Sequence, residues 1–410
     1  MATHLWNRSF VIWLLGTAQS QLGSALAGIA LSFLVLHQTG LAGQMALTLA
    51  CALVPNVLMP LAGALVDRVN LKVPLIGADL TRGLLQLTVG GLALTWGEVP
   101  LWLVNGAAVL TGLAGIFAGP ASSAAVPALV PEKELARANG LIGGVSQGAG
   151  LLGVLAGGYL VTAFSPALAI VLDGVSFVVM GTLLLLVNLP PRELKTGAPE
   201  SLLGSVLSGL RLMRRSRVLM FLPFIALLLN ASLAPVQVLL PKLLLGGAGA
   251  QGYGQYLAAE GAGMLAASAL LALIGSRLPL RRTVTLGLAL LGGSLFLLVQ
   301  FAAPPALLGV GALMGVAFAS VNTPIITLMQ QMVPAAFLGR TFSVLMTVAT
   351  LGMPVTLLAI SPVVDRYPAS LFFTVAGSVT LLMALAWAWV ALSERETPDL
   401  NAETQTIGAS

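Results

Sequence analysis

Four ionisable side chains stand where this sequence is otherwise greasy: Asp79, Arg82, Asp173 and Glu260, each inside a long apolar run. A charge in hydrocarbon is costly, so such a group faces a cavity, a partner or a proton path. A carboxyl placed there can take up and release a proton, or balance a cation. No basic residue lies within helical-neighbour range of Glu260. It reads as a proton-coupling group or a counter-charge, with hydrogen bonding to neighbouring helices as the alternative. Asp173, followed by Gly174, Ser176 and Phe177, is a second proton-coupling candidate with a packing or gating alternative. Asp79 and Arg82 are three residues apart and share one helix face, which suits an ion pair with a structural or gating role.

A second constellation is Gly63, Asp67, Arg68 and Lys72, in the short gap after the second apolar run. A glycine and opposite charges between apolar runs suit a hinge. Asp67 can accept hydrogen bonds at the start of the next helix, where the helix dipole favours an anion. A solvated turn is the plainer alternative. Arg137 and Arg340 occupy matching gaps later in the chain. Gln19, Asn56, Asn230, Gln237, Asn322 and Gln330 are amides within apolar runs and candidates to line a cavity. A buried amide wants hydrogen-bond partners, so each taken singly also fits a structural role.

Other chemistry finds no support. The sequence has no G-x-x-x-x-G-K-[ST] phosphate loop, so direct drive by ATP is not expected. One cysteine, Cys51, and two distant histidines cannot form a Cys/His metal site or an intrachain disulfide. Neither an enzyme, a metal nor a cofactor is expected. The basic residues are scattered at the ends of apolar runs, without the interleaved aromatics of a nucleic-acid surface.

The elements that must carry these residues are membrane helices. Of 410 residues, 58% are hydrophobic and only 8% charged. A soluble domain carries about 25% charged residues, so most of this surface meets lipid. A span needs roughly 20 apolar residues. Runs of that size fall at 10–36, 41–66, 73–95, 100–122, 138–162 and 166–189, then at 218–241, 253–275, 283–302, 306–332, 341–363 and 370–392. The first is too long for a signal-peptide core and reads as a retained span. Trp6, Trp13, Trp96 and Trp102 fall near run ends, where indoles anchor at membrane interfaces.

The fold expected is all-α, with twelve transmembrane helices in two pseudo-symmetric bundles of six. The divisions are 1–190, a cytoplasmic linker at 191–217, 218–393, and a polar tail at 394–410. With the N-terminus inside, only Lys242 and Arg366 lie in outer loops and Arg82 within a span; every other Lys and Arg is cytoplasmic. Both termini are therefore expected in the cytoplasm, and the chain in the inner membrane. Pro131 with Arg137 and Pro334 with Arg340 repeat at an offset near half the chain, as do Pro120 and Pro324. Matched halves are a mark of transporter folds.

The stretch Gly63-Ala-Leu65-Val-Asp67-Arg68 with Lys72 resembles the loop between helices 2 and 3 of the major facilitator superfamily, G-x-L-x-D-R-x-x-x-K. Gly119-Pro120-Ala121, Leu135-Ala-Arg137-Ala-Asn139-Gly140 and Leu338-Gly339-Arg340-Thr341 are similar to its drug/proton antiporter branch, the branch of macrolide-efflux and siderophore-export proteins. Gly140, Gly153, Gly157 and Gly158 follow the spacing of the antiporter motif on helix 5, although Ala149 replaces a glycine and Val154 a proline. Many relatives carry an acid where Ser24 stands. The resemblance implies a monomeric secondary transporter working by alternating access, with Gly63, Asp67, Arg68 and Lys72 in an inner gate. It implies proton-coupled export of amphipathic or cationic drugs or metabolites. Specific transport of a siderophore, sugar or lysophospholipid is the alternative, and a non-transporting receptor or assembly factor a more distant one.

Overall fold

The computed structural model describes residues 4–66, 68–189, 202–274, 278–300 and 304–393. Asp67, the start of the linker and the 394–410 tail lie outside the described residues. Among the described residues the chain is helical, without strands. Helix α1 (Arg8–Thr39) opens on Asn7, whose side chain accepts from the Phe10 amide. It closes on Gly40, whose left-handed backbone (φ 67°) lets its N–H reach the Leu36 carbonyl at 2.8 Å.

The second apolar run is a single span, as expected, but not one continuous α-helix. It forms α2 (Ala42–Leu53), a 3-10 turn at Val54–Leu58, and α3 (Met59–Val66). Pro55 opens the turn; it has no N–H to donate and cannot continue the α-helical ladder. Then come α4 (Lys72–Trp96), α5 (Leu101–Leu129), α6 (Leu135–Ala163) and α7 (Pro166–Leu186). A short helix, α8 (Leu202–Met213), lies inside the stretch expected to be a linker. The later helices are α9 (Arg217–Leu244), α10 (Gly249–Ile274), α11 (Leu280–Gln300), α12 (Pro304–Met332), α13 (Ala335–Ile360) and α14 (Ala369–Ser393).

Among the described residues, eleven segments are long and apolar enough to cross a membrane, with α2 through α3 counted as one. The twelfth expected span, α4, falls short on composition because it carries Asp79, Arg82 and Gln86 within a few turns. It packs against α5 and α7, and its polar side chains Arg82 and Gln86 meet α7.

By contacts the chain forms two compact units, Met1–Ala198 with Val238–Ala258, and Pro199–Gln237 with Ala259–Ser410. In the first, α4 and α7 run antiparallel along a seam of glycines. A Cβ on Gly83 would lie 2.9 Å from the Gly174 carbonyl oxygen, one on Gly174 2.8 Å from the Leu87 nitrogen, and one on Gly90 2.9 Å from the Val171 nitrogen. Backbone therefore packs on backbone, as small residues permit in membrane helices. One end of this unit is closed by Phe10, Trp13, Val66, Leu71, Leu129 and Leu184. Trp13 is thus a core residue, contrary to the interfacial place expected for it, whereas Trp6, Trp96 and Trp102 are exposed.

In the second unit α11 packs between α12 and α14. Gly292 meets the Gly377 carbonyl, and Gly287 meets Ser320. Ser232 of α9 accepts a hydrogen bond from Thr380 of α14 at 2.8 Å. Helix α8 lies against α13, where a Cβ on Gly209 would be 2.7 Å from the Arg340 carbonyl oxygen.

Candidate functional site

Three of the four intramembrane ionisable residues come together in the first unit. Asp79 and Arg82 lie one turn apart on α4 with 3.9 Å between Nη1 and Oδ1. The Arg82 guanidinium also sits over the Phe177 ring of α7, 4.0 Å from its centroid, a cation–π placement. Asp173, one turn before Phe177, accepts from Gln86 Nε2 of α4 at 3.1 Å and from Ser176 at 3.4 Å. Asp173 is 1% exposed and Asp79 7%.

Two carboxyls and one guanidinium thus share a buried polar island held by α1, α4 and α7. The glycine seam is what allows it, since the side chains at one end of the seam can meet only if the two backbones touch along it. Gly23 of α1 has the same purpose. A Cβ there would collide with Ser176 Oγ and lie 2.9 Å from Asp173 Oδ1. Spacing along the chain pairs Asp79 with Arg82 but leaves Asp173 apart, and it does not single out Gln86, Gly23 or the α4–α7 glycines. The seven-residue spacing of Gly83 with Gly90, and of Gly174 with Gly181, is the signal that could have found the seam. Arg82 keeps one buried donor, Nε, without a partner among the described residues.

Glu260 is in the other unit, on α10. Its backbone carbonyl packs against Gly315 of α12, and Gly263 one turn on packs against the Ala312 carbonyl. Its carboxyl has no ion-pair or hydrogen-bond partner among the described residues, and the residue is only half-buried.

The remaining candidate residues are dispersed. Gly63 of α3 has ordinary contact with Pro120 of α5; a Cβ on it would lie 4.0 Å from the proline Cγ. Arg68 lies in the turn after α3, its amide donating to the Leu65 carbonyl, and Lys72 starts α4 with its amide on Asn70 Oδ1 at 3.0 Å. Arg137 faces Glu134 at 3.8 Å, and Arg340 lies 5.8 Å from the Phe337 ring.

Of the amides, Gln19 carries a buried Oε1 without a partner among the described residues. Asn230 donates to the Ala226 carbonyl of its own helix at 2.9 Å and packs on Gly352. Asn56 lies in the 3-10 turn, Gln237 near the end of α9, and Asn322 and Gln330 are exposed positions of α12.

The α6 glycines differ from one another. Gly153 and Gly157 rest on the backbone of α1 at Leu22 and Leu26, and Gly158 rests on Ala250 and Gly254 at the start of α10, within the same unit. Gly140 has nothing within reach of a Cβ. Lacking the motif's proline, α6 runs from Leu135 to Ala163 without interruption.

Long apolar helices with a few buried charges and small-residue seams define a multi-pass membrane transporter. The chain belongs to the Major Facilitator Superfamily, whose profile matches residues 13–352 and, overlapping, 247–409. It is 23% identical over 392 residues to macrolide efflux protein A of Streptococcus pyogenes, covering 93% of this chain and 95% of that protein. It is 26% identical over 367 residues to the multidrug efflux pump Tap of Mycobacterium bovis, covering 86% of each. Among solved structures it resembles the nucleoside transporter NupG, with a TM-score of 0.77 at 10% identity over 94% of this chain and 99% of that one. It also resembles a D-xylose-proton symporter, with a TM-score of 0.72 at 14% identity over 92% and 96%. At such identities the structures speak for the fold alone.

Proposed function

We propose that this transporter exports amphipathic or cationic small molecules in exchange for protons, by alternating access of two helical halves at a site near mid-membrane. The observation that carries the reading is the Glu260 carboxyl, within a span and without a protein partner among the described residues. Such a group binds a proton or a cationic substrate, and exchange between the two couples their movements. The efflux relatives support the direction. The Asp79–Arg82–Asp173 island supports a gating role, since it ties three helices into one moving body. Gly63, Asp67, Arg68 and Lys72 form the inner gate in this reading.

The test is uptake of the cationic dye ethidium into proteoliposomes under an imposed pH gradient. Glu260→Gln should reduce proton-driven uptake by about a hundredfold or more, the loss expected when a general proton-transfer group is removed, with an unchanged melting temperature. Normal uptake by this variant overturns the role of Glu260. Ligand-dependent thermal stabilisation across cationic drugs, siderophores, sugars and lysophospholipids then sorts the substrate classes.

A further inference from the structure

A cavity of about 940 Å³ lies in the second unit where α11 begins and where α12 and α14 end. Its walls divide by chemistry. Leu286, Leu328, Met332 and Leu392 make an apolar trough, whereas Arg281, Arg282, Thr285 and Gln331 stand together on its α11 and α12 sides. Leu286 and Leu392 are 70% and 65% exposed, so the trough opens sideways onto the surface that meets lipid.

The walls are fixed without an occupant. Trp387 of α14 is fully buried and donates from Nε1 to the Arg281 carbonyl at 2.9 Å. Arg281 Nη1 in turn donates to the Ala391 carbonyl in the last turn of α14 at 3.2 Å. Arg281 is thereby held as part of the wall. Arg282 beside it is exposed, and no residue among those described pairs with it. Because three helix termini meet here, the mouth sits at a membrane boundary, at headgroup depth.

We infer that this cavity is a binding site for an anionic phospholipid, with an acyl chain along the Leu286–Leu392 trough and the headgroup phosphate on Arg282. Basic pockets between membrane helices recognise such headgroups. The polar requirement is one anion at one end, and the apolar requirement is a chain that enters from the bilayer. A soluble anion meets only the first, and a zwitterionic lipid brings a cation of its own that competes with Arg282 for its phosphate. The site is separate from Glu260 and from the buried island, so it stands or falls apart from the transport reading.

Native mass spectrometry of the purified full chain, delipidated in detergent and titrated with phosphatidylglycerol or phosphatidylcholine, tests it. Wild type should retain one phosphatidylglycerol and little phosphatidylcholine. Arg282→Gln should weaken phosphatidylglycerol binding about fivefold, the loss of one interfacial cation. Ala388→Phe, which fills the trough and leaves the cations, should weaken it at least as much, with an unchanged melting temperature in detergent alone. Equal retention of both lipids overturns the assignment. So does an Arg282→Gln variant with wild-type retention, full competition by sodium phosphate, or a dimer appearing in place of the lipid adduct.

Discussion

At the scale of single residues, the buried island sets the terms. Asp79 and Asp173 can remain among apolar neighbours because Arg82, Gln86 and Ser176 offset the loss of water. Removing the one cation leaves two carboxyls with only neutral partners. Arg82→Leu should therefore destabilise the protein by about 3–5 kcal/mol, read as a lowered midpoint in thermal unfolding in detergent. Adding Asp79→Asn should recover part of that loss, because it removes one of the two stranded charges. A single Arg82→Leu variant as stable as wild type would show that the island is not an ion-paired unit. That each of these residues is ionisable and embedded is legible from sequence. That Asp173 faces α4 is not, because it follows from which helices become neighbours, and no local pattern encodes that.

At the scale of elements, glycines govern how closely helices approach, and the sites are distinguishable one by one. On α4, Gly83 touches the α7 backbone whereas Gly91 faces open space. Gly83→Ala should cost about 1–3 kcal/mol, since two backbones must separate. Gly91→Ala should be neutral or stabilise by up to about 1 kcal/mol, because alanine loses less backbone freedom in a helix. Melting temperatures of the two variants, prepared side by side, decide it; equal effects would refute the seam. The break between α2 and α3 is written in Pro55 and Pro60, but a continuous apolar run masks such a signal when hydropathy is the guide. Helix α8 escapes notice for the converse reason: it is short and amphipathic, within a polar stretch, and it forms where Gly209 admits the backbone of α13.

At the scale of the whole molecule, family and fold are legible in the charge-poor composition, the regular apolar runs and the G-x-L-x-D-R stretch, because lipid leaves few choices to a chain of this kind. The number of crossings rests on α4, whose charges keep it below the apolar level of the other spans. If α4 crosses, Asn7 and Ser393 lie on the same side. Cysteines placed at these two positions in a Cys51→Ser background should both resist an impermeant thiol reagent in intact cells and both react after permeabilisation. Reaction of only one from outside would mean an odd number of crossings. Cys51 is the sole native cysteine, which makes the background simple.

The bare-backbone contact between α4 and α7 carries a consequence for how the protein can change over generations. Its glycine positions have no room for a Cβ, and two helices must be altered together to reopen it. Sequence change should accordingly leave Gly83, Gly90 and Gly174 untouched and accumulate elsewhere, with this pair of helices inherited as one fixed spar.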